Sequence, residues 1–423
     1  MEYANDRFQR INRQAKNLQL IKETNLTLVF NMIYKHRSIS RAQLAKITKL
    51  SPTTISSQVD ELLQKRLVVE TGTGEMGTSG RKPIMININE NGYYVISIEL
   101  MEGGFNCCLY NLLCKRVDAR RFSAESYAHM GDDLIGAALQ ILELNQVSED
   151  KLIGITLAAP GLIDYESHRI ISSTVVAVDE SNDFYDALQR RFQDIPIFLE
   201  NESGLSAYAE KVFGTGSDAK NLIFIDVGIG IGAGILLNGN MFRGSFGLAG
   251  EIGHITIDIN GPKCKCGSRG CLEIMASIPA MIQEIVFAMM SGRETVISEI
   301  TQNDLNKINI DVIRYAISKQ DALALEVMKE NARKFAFGIN NVINMFNPQA
   351  IIIGGEIAKL GPVYLEQVKQ YLSDIELKPN VSGVAIRYSR LKDDATTLGG
   401  ARYALDTIFH TPKMIKSEIP PES

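Results

Sequence analysis

Apolar positions near the start of the chain repeat with helical spacing. Asn25 precedes the first of them and is a favourable N-cap. A helix is therefore predicted over residues 25–34, with an apolar face formed by Leu26, Val29, Phe30 and Ile33.

Two further short helices are predicted, each with a capping signal at its start. Ser40 and Gln43 have the spacing of a capping box, while Ser51 is a good N-cap and Pro52 suits the first helical position. The predicted apolar faces of these two helices consist of Leu44, Ile47, Ile55, Val59, Leu62 and Leu63. Because only residues 48–51 join them, the pair is typical of a helix-turn-helix.

Two short strands follow this helix pair. Residues 67–70 and 84–88 are rich in β-branched residues, and the segment between them is rich in glycine and carries Arg81 and Lys82. This pattern predicts a wing with two cations at its tip or base. Residues 1–90 are therefore expected to form a winged helix-turn-helix domain.

The hydrophobic pattern changes after residue 90 to that of an α/β protein. Short apolar runs that end in glycine or polar turns alternate with helical periods. Strands are predicted over residues 93–98, 107–110, 152–159, 196–199, 221–226 and 350–353, and helices over 134–144 and 204–213. We expect two α/β lobes within residues 91–410, with a ligand cleft at the carboxyl ends of the strands.

Composition favours an ordinary globular protein. The chain has 423 residues, of which 45% are hydrophobic and 22% charged, and no apolar stretch reaches membrane-spanning length. The first residues are polar and lack the apolar core of a signal peptide, so a cytoplasmic protein without membrane contact is expected. Residues 411–423 are expected to form a frayed tail.

Charge is distributed unevenly between the two parts. Residues 1–90 contain 14 Lys and Arg against 8 Asp and Glu, whereas the remainder contains 30 against 41. A basic head on an acidic body is expected when only the head meets a polyanion, and we weight DNA over a protein partner. The candidate contacts to bases and phosphates are Ser51, Thr53, Thr54, Ser56, Ser57, Gln58, Arg41, Lys46, Lys49, Arg81 and Lys82.

One histidine and three cysteines form the strongest chemical signal. His254, Cys264, Cys266 and Cys271 fall within the segment 251–273, whose flanks are polar and glycine-rich. Three thiolates and one imidazole can form a closed tetrahedral site, so a structural zinc ion is predicted. A disulfide is the alternative, although nothing indicates an oxidising compartment. The other cysteines, Cys107, Cys108 and Cys114, are expected in the core.

Several polar residues lie near predicted strand ends and could converge on the cleft. They offer planar hydrogen-bonding groups suited to a neutral polyol, although each alone could be an ordinary loop residue. The candidate sugar contacts are Asn201, Glu202, Glu251, His254 and Glu273.

These motifs resemble the ROK family (repressors, open reading frames and kinases), and within it the bacterial xylose repressors. The resemblance lies in Glu251-x-Gly-His254, in the cysteine signature that ends at Glu273, in Glu200-Asn201-Glu202 and in the predicted helix-turn-helix. It implies a two-lobed sugar-kinase/actin-like fold of the ribonuclease H type, zinc on His254 and the three cysteines, and sugar on the five residues above.

The chain departs from the kinases of that family at the phosphate loops. Where those kinases have Asp-x-Gly-Gly-Thr, this chain has Glu99-Leu-Met101-Glu102, so a bulky side chain and an extra carboxylate occupy the place of phosphate. The second loop reads Gly-Ile229-Gly and lacks a hydroxyl, and Glu202 replaces the catalytic aspartate. These differences argue against use of ATP and against any catalytic residue.

The leading hypothesis is therefore a sugar-responsive repressor, a homodimer or tetramer that leaves operator DNA when a monosaccharide binds. Xylose is the expected inducer, from the resemblance, while glucose, another pentose or a disaccharide remain open. The alternatives are an ATP-dependent sugar kinase with an appended DNA-binding head, and a repressor that no longer binds sugar.

Overall fold

The computed structural model describes residues 2–73, 83–124, 130–173, 175–176, 184–374 and 383–410, with only the backbone described for 2–18. Within these residues the chain forms an N-terminal head and a body with two five-stranded sheets. None of the helices in the described ranges is both long and apolar enough to cross a bilayer.

The head contains three helices and a small antiparallel sheet. Its elements in chain order are α1 Glu2–His36, β1 Ser38–Ser40, α2 Arg41–Thr48, α3 Pro52–Gln64, β2 Val68–Thr73 and β3 Ile84–Ile88. Strand β3 lies between β1 and β2. The predicted capping box is confirmed, because the Ser40 side chain accepts from the Gln43 amide while the Gln43 side chain accepts from the Ser40 amide. The Ser51 hydroxyl accepts from the Thr54 amide and caps α3.

Two expectations about these helices are wrong. Asn25 does not begin a helix, because α1 runs unbroken from Glu2, and residues 2–36 contain neither proline nor glycine to interrupt it. Ile47 is 45% exposed and lies outside the apolar face of α2, which Leu44 provides.

The first lobe of the body is a mixed sheet in the order β10-β7-β4-β5-β6. Strands β10, β7 and β4 are parallel, and β4, β5 and β6 form an antiparallel meander. Its elements are β4 Tyr94–Met101, β5 Gly104–Asn111, β6 Arg116–Ser123, α4 Met130–Leu144, β7 Leu152–Ala159, β8 Leu162–Asp164, β9 Arg169–Ser172, α5 Phe184–Arg191, β10 Ile197–Asn201 and α6 Glu202–Val212.

The second lobe repeats this plan in the order β13-β12-β11-β14-β15. An antiparallel meander again leads to parallel strands, so the predicted pair of α/β lobes is confirmed. Its elements are β11 Leu222–Val227, β12 Ile231–Leu237, β13 Asn240–Met241, α7 Leu272–Ala276, α8 Ile278–Met290, α9 Val296–Thr301, α10 Ile310–Ser318, α11 Ala322–Phe346, β14 Ala350–Gly354, α12 Pro362–Ser373 and β15 Ala385–Tyr388. The final helix, α13 Ala395–His410, returns to the first lobe and packs on β4, β7 and α6.

Each lobe has its own apolar core, and a third core joins the head to the body. In this third core Phe30 of α1 lies against Phe409 of α13, with ring centroids 4.2 Å apart. Cys107 is buried in the first-lobe core, and Cys108 and Cys114 are buried in the shared core, as expected for structural cysteines. The head is therefore held to the body by apolar packing.

Candidate functional site

The predicted metal ligands come together in the second lobe. One ligand atom from each of His254, Cys264, Cys266 and Cys271 lies within 4.8 Å of the others. The Cys264 Sγ is 3.8 Å from the His254 Nδ1, and the Sγ atoms of Cys266 and Cys271 are 3.6 Å apart. A tetrahedral zinc site with bonds of about 2.3 Å to sulfur has ligand atoms about 3.8 Å apart. The four side chains therefore fit a zinc ion.

Backbone hydrogen bonds shape the loop that carries the thiols. The Cys264 amide donates to the Ser268 carbonyl at 2.8 Å, and the Gly267 amide donates back to the Cys264 carbonyl at 3.1 Å. Gly270 has a φ of +56°, and a Cβ there would overlap the Asp258 carbonyl. Glycine is required at this position, because only a residue without a side chain permits the close approach.

His254 connects the cluster of three cysteines with two carboxylates. Its Nδ1 faces Cys264, while its Nε2 is 4.0 Å from the Glu251 carboxylate. Desolvation raises the pKa of Glu251, and the nearby charge of Glu273 raises it further. The Glu273 carboxylate accepts from the Ile231 amide at 3.1 Å. Three of the five predicted sugar contacts therefore share one neighbourhood beside the cluster.

The other two predicted sugar contacts lie where β10 of the first lobe leads into α6. The Asn201 side chain accepts from the Gly204 amide and donates to the Gly161 carbonyl, both at 3.1 Å, so it caps α6 and fixes the turn after β7. Glu202 is the first residue of α6. Burial raises the pKa of the Glu202 carboxyl well above its usual range, and the charges of Asp226 and Glu99 add to the shift.

Strand β12 brings these two groups close to each other. A Cβ at Gly230 would clash with the Glu273 carboxylate, and a Cβ at Gly232 would contact the Ser203 hydroxyl. Gly230 lies just before β12 and Gly232 within it, so the two contacts are about 7 Å apart along the extended chain. The start of α6 and the Glu273 carboxylate therefore lie close together. The oxygens of the two groups suit a small polyhydroxylated ligand.

Glu202 belongs to a half-buried acidic corner together with Glu99 and Asp226. Desolvation raises the pKa of Glu99 to about 7, although its side chain accepts from Asn106 at 3.3 Å. Burial also raises the pKa of Asp226 to about 6. Met101 still belongs to β4, where it pairs with Gly104. This corner combines three carboxylates with a regular strand where a phosphate loop would require open amides.

The structure exposes most of the predicted DNA-contacting residues of the α3 region and buries one of them. Ser51, Thr53 and Ser57 are exposed and Thr54 and Ser56 partly exposed on α3, so these five hydroxyls are accessible. Gln58 is 4% exposed, and its predicted outward position is wrong because it falls on the face of Ile55 and Leu62.

The predicted cationic contacts of the head differ in whether they are available to DNA. Lys46 and Lys49 are exposed, whereas the Arg41 guanidinium binds Asp60 at 2.8 Å and also pairs with Glu70. These ion pairs join α2 to α3 and β2, so Arg41 holds the helix pair together within the head. Arg81, Lys82 and the tail 411–423 lie outside the described residues.

Sequence reasoning missed an ion pair between the lobes. Arg243 follows β13, and its Nε donates to the buried Glu200 carboxylate at 3.0 Å while its Nη2 also contacts that carboxylate. The same Nη2 donates to the Tyr403 hydroxyl of α13 at 3.1 Å. The only sequence signal was an arginine in a glycine-rich segment, which does not identify a distant partner.

The comparisons with known proteins agree with this architecture. A sequence model described as the ROK family matches residues 95–407. The xylose repressor of Bacillus subtilis (strain 168) is 31% identical over 392 residues, which cover 91% of this chain and 96% of that protein.

Two solved structures show the same fold. A ROK family transcriptional regulator, described as a homolog of the E. coli MLC protein, has a TM-score of 0.80 at 26% identity and covers 93% of this chain and 99% of its own. A ROK family glucokinase from Streptomyces griseus, in complex with glucose and AMPPNP, has a TM-score of 0.64 at 22% identity, with 73% and 98% covered. The similarity to the glucokinase concerns the fold alone.

Proposed function

The chain belongs to the ROK family, and on this premise we propose that it is a sugar-responsive transcriptional repressor. The observation that carries the proposal is the shared apolar core, in which Phe30 of the head packs on Phe409 of the sugar-kinase-like body. A DNA-binding head that shares a core with a ligand-binding body can respond to the ligand. By thermodynamic linkage, a sugar that lowers DNA affinity must itself bind more weakly to the DNA-bound protein.

The sugar is proposed to bind beside the start of β12, between the start of α6 and the Glu273 carboxylate. Asn201 and Glu202 contact it from the first lobe, and Glu251, His254 and Glu273 contact it from the second. Zinc on His254 Nδ1 and the three thiolates holds the loop 251–273, which leaves His254 Nε2 free for the ligand. The ion has a structural role because all four positions around it are filled by the protein.

Operator DNA is the second proposed partner. The accessible hydroxyls of α3 face the major groove, with Lys46 and Lys49 on phosphates. A homodimer or tetramer in the cytoplasm presents two heads to a pseudopalindromic site. Xylose is the proposed inducer, because the Bacillus subtilis relative is named a xylose repressor.

The kinase alternative is not favoured by the end of β4. Met101 is still paired with Gly104 in the strand, and the exposed Glu102 follows it. A phosphate loop would need open backbone amides at this place, and the Glu102 carboxylate would repel a triphosphate. We therefore propose that no residue of the chain is catalytic.

A selection experiment tests the proposal and identifies the operator at the same time. Duplexes that bind the full chain are enriched from a random-sequence library at low salt, and their affinity is then measured with and without D-xylose, D-glucose and N-acetylglucosamine. The expected result is a palindromic duplex with an affinity that at least one sugar lowers tenfold or more. The matched variant Thr53→Ala should weaken DNA binding and leave sugar binding unchanged.

Two results would contradict the proposed repressor. Failure to enrich any duplex at low salt would exclude a repressor. Release of ADP from ATP in the presence of one of these sugars, at an enzyme-like rate, would instead favour the kinase.

A further inference from the structure

The Arg243 guanidinium is the centre of a polar cluster between the lobes. Besides Glu200 and Tyr403, it lies over the Tyr165 ring, 5.1 Å from the ring centroid. Glu200 is only 5% exposed, so water cannot replace the arginine without leaving a buried charge unpaired. Arg243 is provided by the second lobe, and its three partners belong to the first lobe and to α13.

Both ends of this ion pair are next to proposed sugar contacts. Glu200 directly precedes Asn201 in β10. On the other side, the Ala249 amide donates to the Arg243 carbonyl at 3.1 Å, so a closed loop brings Arg243 within two residues of Glu251. A ligand that contacts Asn201 and Glu251 together is therefore placed to shift the backbones that carry Glu200 and Arg243.

Helix α13 connects this cluster with the head. Arg402, the residue before Tyr403, binds Asp406 at 2.7 Å, and its guanidinium lies 4.7 Å from the centroid of the Tyr34 ring of α1. Less than two turns after Tyr403, Phe409 packs on Phe30. If the Tyr403 hydroxyl moves and α13 rotates with it, Arg402 and Phe409 move as well. The surface on which α1 packs therefore changes.

We propose that Arg243 is the positioning residue that transmits sugar binding to the DNA-binding head. Lobe movement around the sugar changes its contacts with Glu200 and Tyr403, and α13 carries the change to α1. This inference rests on the proposed function. The charges are desolvated, and the Arg243 guanidinium is held by two hydrogen bonds to one carboxylate. The Arg243 side chain is therefore expected to switch between distinct sets of hydrogen bonds and not to move continuously.

Three variants and one control test this role. Tyr403→Phe removes only the hydroxyl that Arg243 contacts. Arg243→Gln removes the cation, and the double variant Glu200→Gln with Arg243→Gln removes both charges, so that no buried charge is left unpaired if the single variant does not fold. Arg293→Gln is the matched control, because Arg293 forms a similar fork with Glu326 at 2.9 Å on the exposed surface of the second lobe.

Two readouts are measured on the full chain: the ratio of DNA dissociation constants with and without the binding sugar, and amide hydrogen exchange in residues 26–36 and 395–410 with the sugar alone. In the wild type and in Arg293→Gln, the sugar should change the ratio at least tenfold and alter exchange in both segments. In Tyr403→Phe, in the double variant and in a folded Arg243→Gln protein, the sugar should change the DNA dissociation constant by less than threefold, and the exchange response should disappear. The sugar dissociation constant should stay within threefold.

The outcomes separate this inference from the proposed function. A wild-type protein that binds sugar but no DNA overturns the repressor, and the exchange experiment still decides the role of Arg243. Wild-type responses retained in both Tyr403→Phe and the double variant overturn the role of Arg243 alone. A wild-type protein that binds none of the three sugars overturns both.

Discussion

The two junctions of this molecule differ in their share of polar contacts. The junction between head and body is mainly apolar, with Phe30 against Phe409 inside a continuous core. The junction between the lobes is mixed: Ala207 of α6 packs in an apolar cluster with β11, β12 and β14, whereas Arg243 pairs with the Glu200 carboxylate. Apolar packing holds one close-packed arrangement, whereas polar contacts can be exchanged for those of a ligand. In the proposed function, the polar part of the lobe junction receives the signal and the apolar head junction passes it on.

Loss of the predicted zinc ion should have the largest effect on sugar binding, and it acts on the junction between the lobes. Cys271→Ser removes a thiolate ligand, and the loop 251–273 should lose its fixed form because the protein has little apolar core there to replace the ion. We expect one equivalent of zinc in the wild type, less in the variant, and a loss of sugar affinity of about 10- to 100-fold, the range for disturbed metal sites. Metal analysis and calorimetry with the sugar measure both.

Ser268→Ala is the control, because it changes an exposed hydroxyl in the same loop and leaves the four ligands in place. A folded, metal-free Cys271→Ser protein with unchanged sugar affinity would show that the loop does not need the ion.

The apolar junction is tested by Phe30→Ala. The fully buried ring packs on Phe409, so its loss should lower the free energy of unfolding by about 4 kcal/mol, as for other buried phenylalanines. Leu20→Ala on the same helix should change it by less than about 0.5 kcal/mol, because Leu20 is 50% exposed. Urea unfolding measures both values. A loss below about 1 kcal/mol for Phe30→Ala contradicts a shared core.

The smallest expected effect concerns the charges buried between the lobes. The pKa of Glu99 is about 7 in the folded protein, whereas an unperturbed glutamate, as in the unfolded chain, has a pKa of 4.5. The folded protein therefore holds this proton more tightly. Stability is therefore lost as pH rises from about 4.5 to 7 and stays lower above that range. Glu99→Gln should raise the free energy of unfolding by about 2 kcal/mol at pH 8 and change it little at pH 4.

Thermal or urea unfolding at the two pH values measures the effect of Glu99→Gln. Glu102→Gln, at the exposed turn after β4, is the control and should show no comparable pH dependence. Equal effects of Glu99→Gln at pH 4 and pH 8 would contradict a raised pKa.

Local signals in the sequence predicted the local structure well. The capping box at Ser40, the N-cap at Ser51 and the strand 152–159 are found as predicted, because each depends on residues close together in the chain. Asn25 was misread for the same reason: it is a good cap, but the helix before it has no residue that ends it. Local preference does not decide between a cap and a continuing helix.

Long-range pairing could not be predicted in the same way. Spacing alone suggested the four metal ligands, since they lie within one loop. The contact of Arg243 with Tyr403 joins residues far apart in the chain, and the burial of Gln58 follows from how the head packs. Sequence patterns indicate which side of an element is polar, but the identity of a distant partner depends on the tertiary fold.

The position of Phe409 has a consequence for synthesis on the ribosome. The head emerges first, yet the helix that completes its core is among the last described parts of the chain to be made. An interrupted product that stops before α13 carries a head with an uncovered apolar surface, a substrate for chaperones and proteases.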